Sequence, residues 1–444
     1  MNPPPPRNGT EPQSEPRTIP RTDHGLGRDA FPPQALEILG RLEERGHAAY
    51  VVGGSLRDLL LGRHPKDFDI ATGAHPEEVR RIFRNSRLIG RRFRLVHVYF
   101  GRHYVEVATF RATPSGREAG SVVSDEGRLL RDNVYGTERD DAYRRDFTVN
   151  ALYYDAQDES LRDWVNGLAD LRAGRLRLIG EPTQRYREDP VRMLRAVRFE
   201  SKLGFHIDAE TAAPMKDLGP LLRTVPPARL FEEINKLFLN GYAAAAFVGL
   251  RRHGLLTVLF PWTEDVVAAE ASGASLAFIE RSLADTDARV AADLPVTPAF
   301  LLASLLWPPT RRLAVAFHEG DGLPWHEAHV RAASVLIARQ RRLVEVPRRF
   351  AEPAQEILGD QALFDGDPNG ASERYLRRSR FAASLDLLRN RVGHDAEASR
   401  HALWHEAWER SGGSHHTAGA RSRARFSGPG GGGQNVAPDG SRGG

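Results

Sequence analysis

A chain of 444 residues, 41% apolar and 27% charged, has the make-up of a folded protein of about two to four domains. It contains no cysteine, which excludes disulfides, thiolate zinc sites and a cysteine nucleophile. The net charge of +4 is carried mainly by arginine, whose planar fork suits phosphates; no apolar run approaches the ~18 residues of a membrane span and the start lacks a signal-peptide core, so a cytoplasmic enzyme is expected.

Residues 1–28 carry Pro3 to Pro6 and then Pro12, Pro16 and Pro20, a composition expected to stay disordered. From Phe31 to Arg45 the spacing of Leu36, Leu39 and Leu42 predicts a helix, followed by a strand from His47 to Val52. Val52-Gly53-Gly54-Ser55-Leu56-Arg57-Asp58 then reads as a strand end, a glycine turn and a helix starting near Ser55. Glycines let a ligand approach the backbone, a helix N-terminus offers N–H groups to an anion, and Arg57 on the first turn is within reach of the same phosphates.

Asp67-Phe68-Asp69 follows. On a strand, carboxylates at i and i+2 share one face while Phe68 and Ile70 take the other, toward the core. Such a pair beside a phosphate-cradling turn suits Mg²⁺, a hard cation that takes oxygen ligands. Asp-x-Asp also occurs in ordinary loops and in some metal-dependent sugar transferases, so the upstream turn carries the reading. His75 to Phe83 is a short amphipathic helix with Pro76 in its first turn. Leu95 to Phe100 and Tyr104 to Phe110 alternate as strands joined by a hairpin at Gly101-Arg102-His103. Glu106 on the second of these is a candidate third acid, and Asp146 in Arg144-Arg145-Asp146-Phe147-Thr148-Val149-Asn150 competes with it.

Helical patterning takes over from about Asp189, which reads as an N-cap before Pro190 at the first helical position. Arg192, Arg195 and Arg198 recur every three residues opposite Val191, Leu194 and Val197. That ladder is either a solvated face or a surface that reads a base and a triphosphate. Further helical runs (Phe231 to Phe238, Phe300 to Trp307, Ala332 to Ala338, Phe381 to Leu388) extend to about Arg410. His318, His326, His329 and His394-Asp395 are spaced too irregularly for a metal hydrolase centre and read as surface histidines. From about Gly412, through Arg421 to Arg425 and into Gly430 to Gly433, the chain reads as a flexible basic tail.

Gly-Gly-x-x-Arg-Asp, Asp-x-Asp, Arg-Arg-Asp-Phe-Thr-x-Asn and Glu-Asp-x-x-Arg, in that order over roughly Ala49 to Pro261, resemble the class II nucleotidyltransferases, which comprise bacterial poly(A) polymerases and CCA-adding enzymes. The resemblance implies an α+β head with a small mixed sheet of polymerase-beta-like type, followed by an all-helical neck, body and tail. The expected divisions are a head over 29–172, a neck over 173–262, a body over 263–411 and a tail over 412–444. It further implies that Gly53, Gly54 and Arg57 contact nucleotide phosphates and that Asp67 and Asp69 hold a pair of Mg²⁺ ions. Arg145, Arg195 and Arg198 would bind nucleotide, and Asp189 and Arg192 would read the base edge. Asp146 matches an acid that is catalytic in the poly(A) polymerase branch, and is preferred to Glu106. Ile89 to Val98, Val346-Pro347-Arg348-Arg349-Phe350 and the basic tail resemble that branch. The implied activity is template-independent addition of AMP from ATP to single-stranded 3′ ends of mRNA or small RNA by a monomer. The alternatives are a CCA-adding enzyme, a catalytically silent RNA-binding protein and, more distantly, a sugar transferase.

Overall fold

The computed structural model describes residues 14–90, 94–112, 121–123, 129–132, 134–391 and 395–413. Arg91 to Phe93, His394 and the basic tail beyond residue 413 lie outside them. The chain forms two compact units, one of residues up to Glu233 plus Ala245–Val258, the other of Ile234–Ala244 and Leu259 onward. The expected head–neck division at 172 falls inside the first unit.

Among the described residues that first unit has twelve strands: β1 Arg17–Ile19, β2 Ala49–Val52, β3 Asp69–Thr72, β4 Ser86–Ile89, β5 Leu95–Phe100, β6 His103–Thr109, β7 Ser121–Val123, β8 Leu129–Asp132, β9 Leu152–Tyr154, β10 Leu161–Asp163 and the short parallel pair β11 Arg175–Leu176 and β12 His206–Ile207. Eight form one sheet in the order β1-β10-β9-β2-β3-β6-β5-β4, with β7 and β8 a separate hairpin. Only the β3–β6 pair within this sheet is parallel; the remaining neighbours are antiparallel. All four residues of β2 are buried, which is why this strand shows no polar alternation and must lie centrally. The hairpin expected at Gly101 is present, with Gly101 at φ +63° and Phe100 paired to His103.

Helices α1 Arg21–His24, α2 Pro33–Glu43, α3 Gly53–Leu60, α4 Pro76–Ile82, α5 Glu138–Arg144, α6 Gly167–Arg172, α7 Pro182–Glu188 and α8 Val191–Leu203 complete the part of the unit that concerns the site. Ile38, Leu39 and Leu42 of α2 and Val79 of α4 are buried at the 3.6-residue period that the apolar spacing predicts.

Residues 14–28 correct the expected disorder. Arg17–Ile19 pairs antiparallel with β10, and Ile19 is buried. Glu159 ties this segment down: it takes an ion pair from Arg21 at 2.8 Å and the backbone N–H of Arg28 at 2.9 Å. A proline-rich composition conceals such an anchor because an edge strand needs few residues, and Pro16 and Pro20 flank it where no ladder N–H is required.

The second unit is helical, with long helices at Ala274–Ala291, Pro298–Glu319, Trp325–Leu343, Arg348–Asp360, Phe381–Arg391 and Asp395–Arg410. Phe364, Phe381, Leu385, Leu388, Trp404 and Trp408 form one of its cores. His329 is not the surface histidine its sequence suggests. It is buried, with ring centroids 4.2 Å from Trp325 and 5.8 Å from Trp307, and burial pushes its imidazole pKa down.

Candidate active site

The strand-turn-helix at Val52-Gly53-Gly54 brings an acid and an arginine from distant parts of the first unit together. Val52 is extended (φ −139°, ψ 170°), and the chain enters α3 through Gly53 at φ +79°, a conformation that glycine adopts without the clash a Cβ would bring. A Cβ placed on Gly53 would lie 3.6 Å from both Asp69 Oδ2 and Arg145 Nη1. The register explains the approach: Val52 pairs directly with Asp69, so the residue after Val52 lies against that carboxylate.

Strand β3 begins at Asp69, so Asp67 and Phe68 precede the strand rather than forming part of it. Ile70 is buried as expected, and Phe68 is half-buried with its ring 6.1 Å from that of Phe31. Asp67 and Asp69 both remain open to solvent. On the other side of β3, Asp69 is in parallel register with Glu106, and His97 Nε2 lies 3.3 Å from Glu106 Oε1. Partial burial, and then the charges of Glu106 and Asp67, push the Asp69 carboxyl up to about 6 against the opposing pull of Arg145. A group of acids whose ionisation is mutually unfavourable is one that a cation relieves. No cluster of three or more acid or histidine ligands surrounds a single point among the described residues. Asp67 and Asp69 nonetheless fit Mg²⁺, which characteristically takes one or two carboxylates and fills its remaining positions with water and substrate phosphate.

Arg145 owes its position to α5. Thr137 caps that helix in a reciprocal box with Asp140, and the backbone leaves it extended at Arg145 (φ −63°, ψ 168°). Asp141, 1% exposed, accepts from Arg144 at 2.6 Å, from Arg145 at 2.8 Å and from the Tyr153 hydroxyl at 2.8 Å. Burial alone would raise the Asp141 carboxyl, but the two guanidinium groups outweigh it and hold it well below the usual range. Arg145 is thereby fixed as a permanent cation at the lip of the turn. Neither Asp141 nor Tyr153 was singled out from the sequence; the spacing of Asp141, four residues before Arg145 on a capped helix, was the available signal.

Two expected site residues are engaged differently from their sequence reading. Arg57, assigned to phosphates, is 2% exposed; it donates to Asn150 Oδ1 at 2.6 Å and to Asp58 Oδ1, with its guanidinium 5.1 Å from the Phe199 ring centroid. It braces the underside of α3 rather than opening toward a ligand. Asp146, preferred as the third acid, accepts at Oδ2 from two nitrogens of the Arg195 guanidinium (Nε at 2.7 Å, and Nη2), and at Oδ1 from Asn150 Nδ2 at 3.2 Å and from the Phe147 N–H at 2.8 Å. Burial works to raise its carboxyl, yet Arg195 and these donors bring it down to about 2. Glu106, not Asp146, is the acid whose register places it beside Asp69.

The arginine ladder of α8 is half-buried and charge-compensated along its length. Arg192 donates to Glu188 Oε2 at 3.0 Å and to the Arg185 carbonyl, Arg195 holds Asp146, and Arg198 lies 3.9 Å from Glu233. Pro190 already has helical angles, and Asp189 Oδ1 accepts the Val191 N–H at 3.3 Å. The Asp189 carboxylate is gripped by Arg229 through two parallel bonds of 2.9 and 2.8 Å. Arg229, Glu188 and Glu233 are further residues of this region that motif reading did not reach, because their partners are distant in sequence.

Comparison with known proteins matches three stretches: residues 49–177 to the poly A polymerase head domain, 204–266 to the probable RNA and SrmB-binding site of polymerase A, and 321–427 to the polymerase A arginine-rich C-terminus. Poly(A) polymerase I of Salmonella typhimurium is 42% identical over 391 residues, spanning 87% of this chain and 84% of the relative. The CCA-adding enzyme of Lactobacillus helveticus is 40% identical over 214 residues, 48% of this chain and 52% of the relative. Among solved structures, the Bacillus stearothermophilus CCA-adding enzyme in complex with CTP aligns with a TM-score of 0.58 at 27% identity, covering 86% of this chain and 82% of that one.

Proposed function

The chain belongs to the class II nucleotidyltransferase family, in its poly(A) polymerase branch, and we propose that it transfers AMP from ATP to the 3′ end of single-stranded RNA at the Gly53–Asp69–Arg145 site. The observation that carries this reading is the approach of Asp69 Oδ2 and Arg145 Nη1 to the Gly53 turn, which puts an acid and a permanent cation together at the start of α3. The triphosphate seats against the backbone N–H groups that open α3, with Arg145 neutralising its charge. Asp67 and Asp69 would hold Mg²⁺, which when bound polarises the α-phosphate and assists loss of the hydroxyl proton. The RNA 3′-hydroxyl is oriented toward the α-phosphate by the carboxylate row, and its proton passes to that row as pyrophosphate leaves along the turn. Glu106 takes the place of the third acid beside Asp69. Asp146 is a positioning residue that fixes Arg195 for the nucleotide.

Asp189 and Arg192 select adenine, with Arg229 and Glu188 holding their planes in place. We assign the catalytic head to 29–172, nucleotide selection to 173–262 and RNA binding to 263–411, in a monomer acting in the cytoplasm; among the described residues no helix is long and apolar enough to cross a membrane. The half-length match to a CCA-adding enzyme keeps that activity as the second reading. Purified protein incubated with an oligo(A) primer, or with a tRNA lacking its 3′ CCA, and given each nucleoside triphosphate separately and then CTP and ATP together, decides between them. Long tails on oligo(A) from ATP alone support the proposal, and arrest after CCA on the tRNA with no tailing of oligo(A) overturns it.

A further inference from the structure

The face of the sheet that carries Asp69 does not end at the acids. Register places Asp69, Glu106, His97 and Arg87 in one row across β3, β6, β5 and β4. Two residues along β6, Tyr104 shares the face of Glu106, and it is paired across the ladder with Tyr99. The alternate residues Val96, Val98, Val105 and Val107 are buried on the opposite side. Tyr104, by contrast, is 50% exposed. Its ring lies parallel to His97, with centroids 4.1 Å apart and planes at 12°, and 6.0 Å from the Tyr99 ring. The Arg87 guanidinium stands 5.9 Å from the Tyr99 ring centroid.

We propose that Tyr104, Tyr99 and His97 form a stacking platform for the unpaired bases of the RNA adjoining its 3′ end, with Arg87 toward the phosphates. Exposed aromatic faces bind successive bases without regard to sequence, the property that a tailing enzyme needs as its primer changes with each addition. Strand geometry puts Tyr104 roughly 8 Å from Asp69, so the rings stand about one nucleotide away from an RNA terminus held at the acids. The platform is pre-organised, since His97 is held between Glu106 and Tyr104, and less ordering entropy is lost when a base docks. The ordinary alternative is that two tyrosines simply cover a sheet surface, in which case their removal leaves RNA affinity alone. The proposal rests on the reading that Asp69 marks the reacting end.

The test uses the full chain and oligo(A) carrying 2-aminopurine at its last or second-last position. In wild type the probe is quenched on binding, and the quench and the affinity fall together in Tyr104→Ala and further in Tyr104→Ala/Tyr99→Ala. The expected loss is about 5-fold or more per ring, the weak end of base–aromatic stacking. Tyr104→Trp restores both, and the defect appears in primer KM rather than ATP KM. Wild-type affinity and quench in the double variant would overturn the platform. Asp69→Asn, run alongside, separates the two readings: retained quench with lost transfer supports the placement, whereas retained transfer overturns the assignment of Asp69 itself.

Discussion

Asp69→Asn should make the metal-free protein more stable while abolishing AMP transfer. The carboxyl is pushed from its ordinary 3.8 up to about 6 by partial burial and by Glu106 and Asp67. Because the folded value is raised, folding favours the protonated acid. The penalty is therefore absent below about pH 4, grows as pH rises toward 6, and is constant above it. A rise from 3.8 to about 6 corresponds to an upper bound of about 3 kcal/mol. Solvent access to the side chain screens the repulsion, and about 1 kcal/mol is the realistic figure. For a unit of this size that is about 2–4 °C in Tm. Thermal unfolding in EDTA should show Asp69→Asn above wild type at pH 7.5, with the difference gone near pH 4. Added Mg²⁺ should raise wild type by mass action and leave the variant unmoved. A variant less stable than wild type in EDTA at pH 7.5 would refute the reasoning, because the carboxylate would then be contributing to the fold.

Asp146→Asn removes a carboxyl held at about 2, and should lower stability by about 2 kcal/mol at pH 7. This contribution is complete above the ordinary carboxylate value and disappears as pH falls toward 2, so urea unfolding that shows an undiminished deficit near pH 3 would contradict it. Gly53→Ala forces a Cβ onto a backbone at φ +79°, at a cost of about 1–2 kcal/mol. It also crowds Arg145 and Asp69, so steady-state kinetics should show a higher ATP KM; wild-type kinetics would count against a triphosphate seated there. Arg229→Ala releases the Asp189 carboxylate from its two-bond clamp. Competition between ATP and CTP should show reduced preference for ATP, and an unchanged ratio would remove Arg229 from base selection.

The strand-turn-helix at Gly53 and the Asp67–Asp69 pair were legible because their signals are local: glycines where φ is positive, and acids at fixed spacing. The approach of one to the other was a consequence of the Val52–Asp69 register, which no spacing along the chain reveals. Arg57 misled for a related reason. An arginine on a first helical turn reads as exposed, and the Asn150 and Phe199 that enclose it come from far along the chain. The choice between Glu106 and Asp146 turned on long-range pairing too: one faces Asp69 across a parallel ladder and the other is neutralised by Arg195. In α8 the period of three was readable, but the acids that compensate each arginine were not. Composition hid the β1 edge strand, since one buried isoleucine is lost among prolines.

The most direct test of the central claim counts bound divalent ions at the glycine turn. Electron paramagnetic resonance of Mn²⁺ with a non-hydrolysable ATP analogue should show about two ions per wild-type chain. Asp67→Asn/Asp69→Asn should lose them while nucleotide binding through Arg145 persists in weakened form. A double variant that retains both ions at wild-type affinity would contradict the assignment of these two acids to the metal.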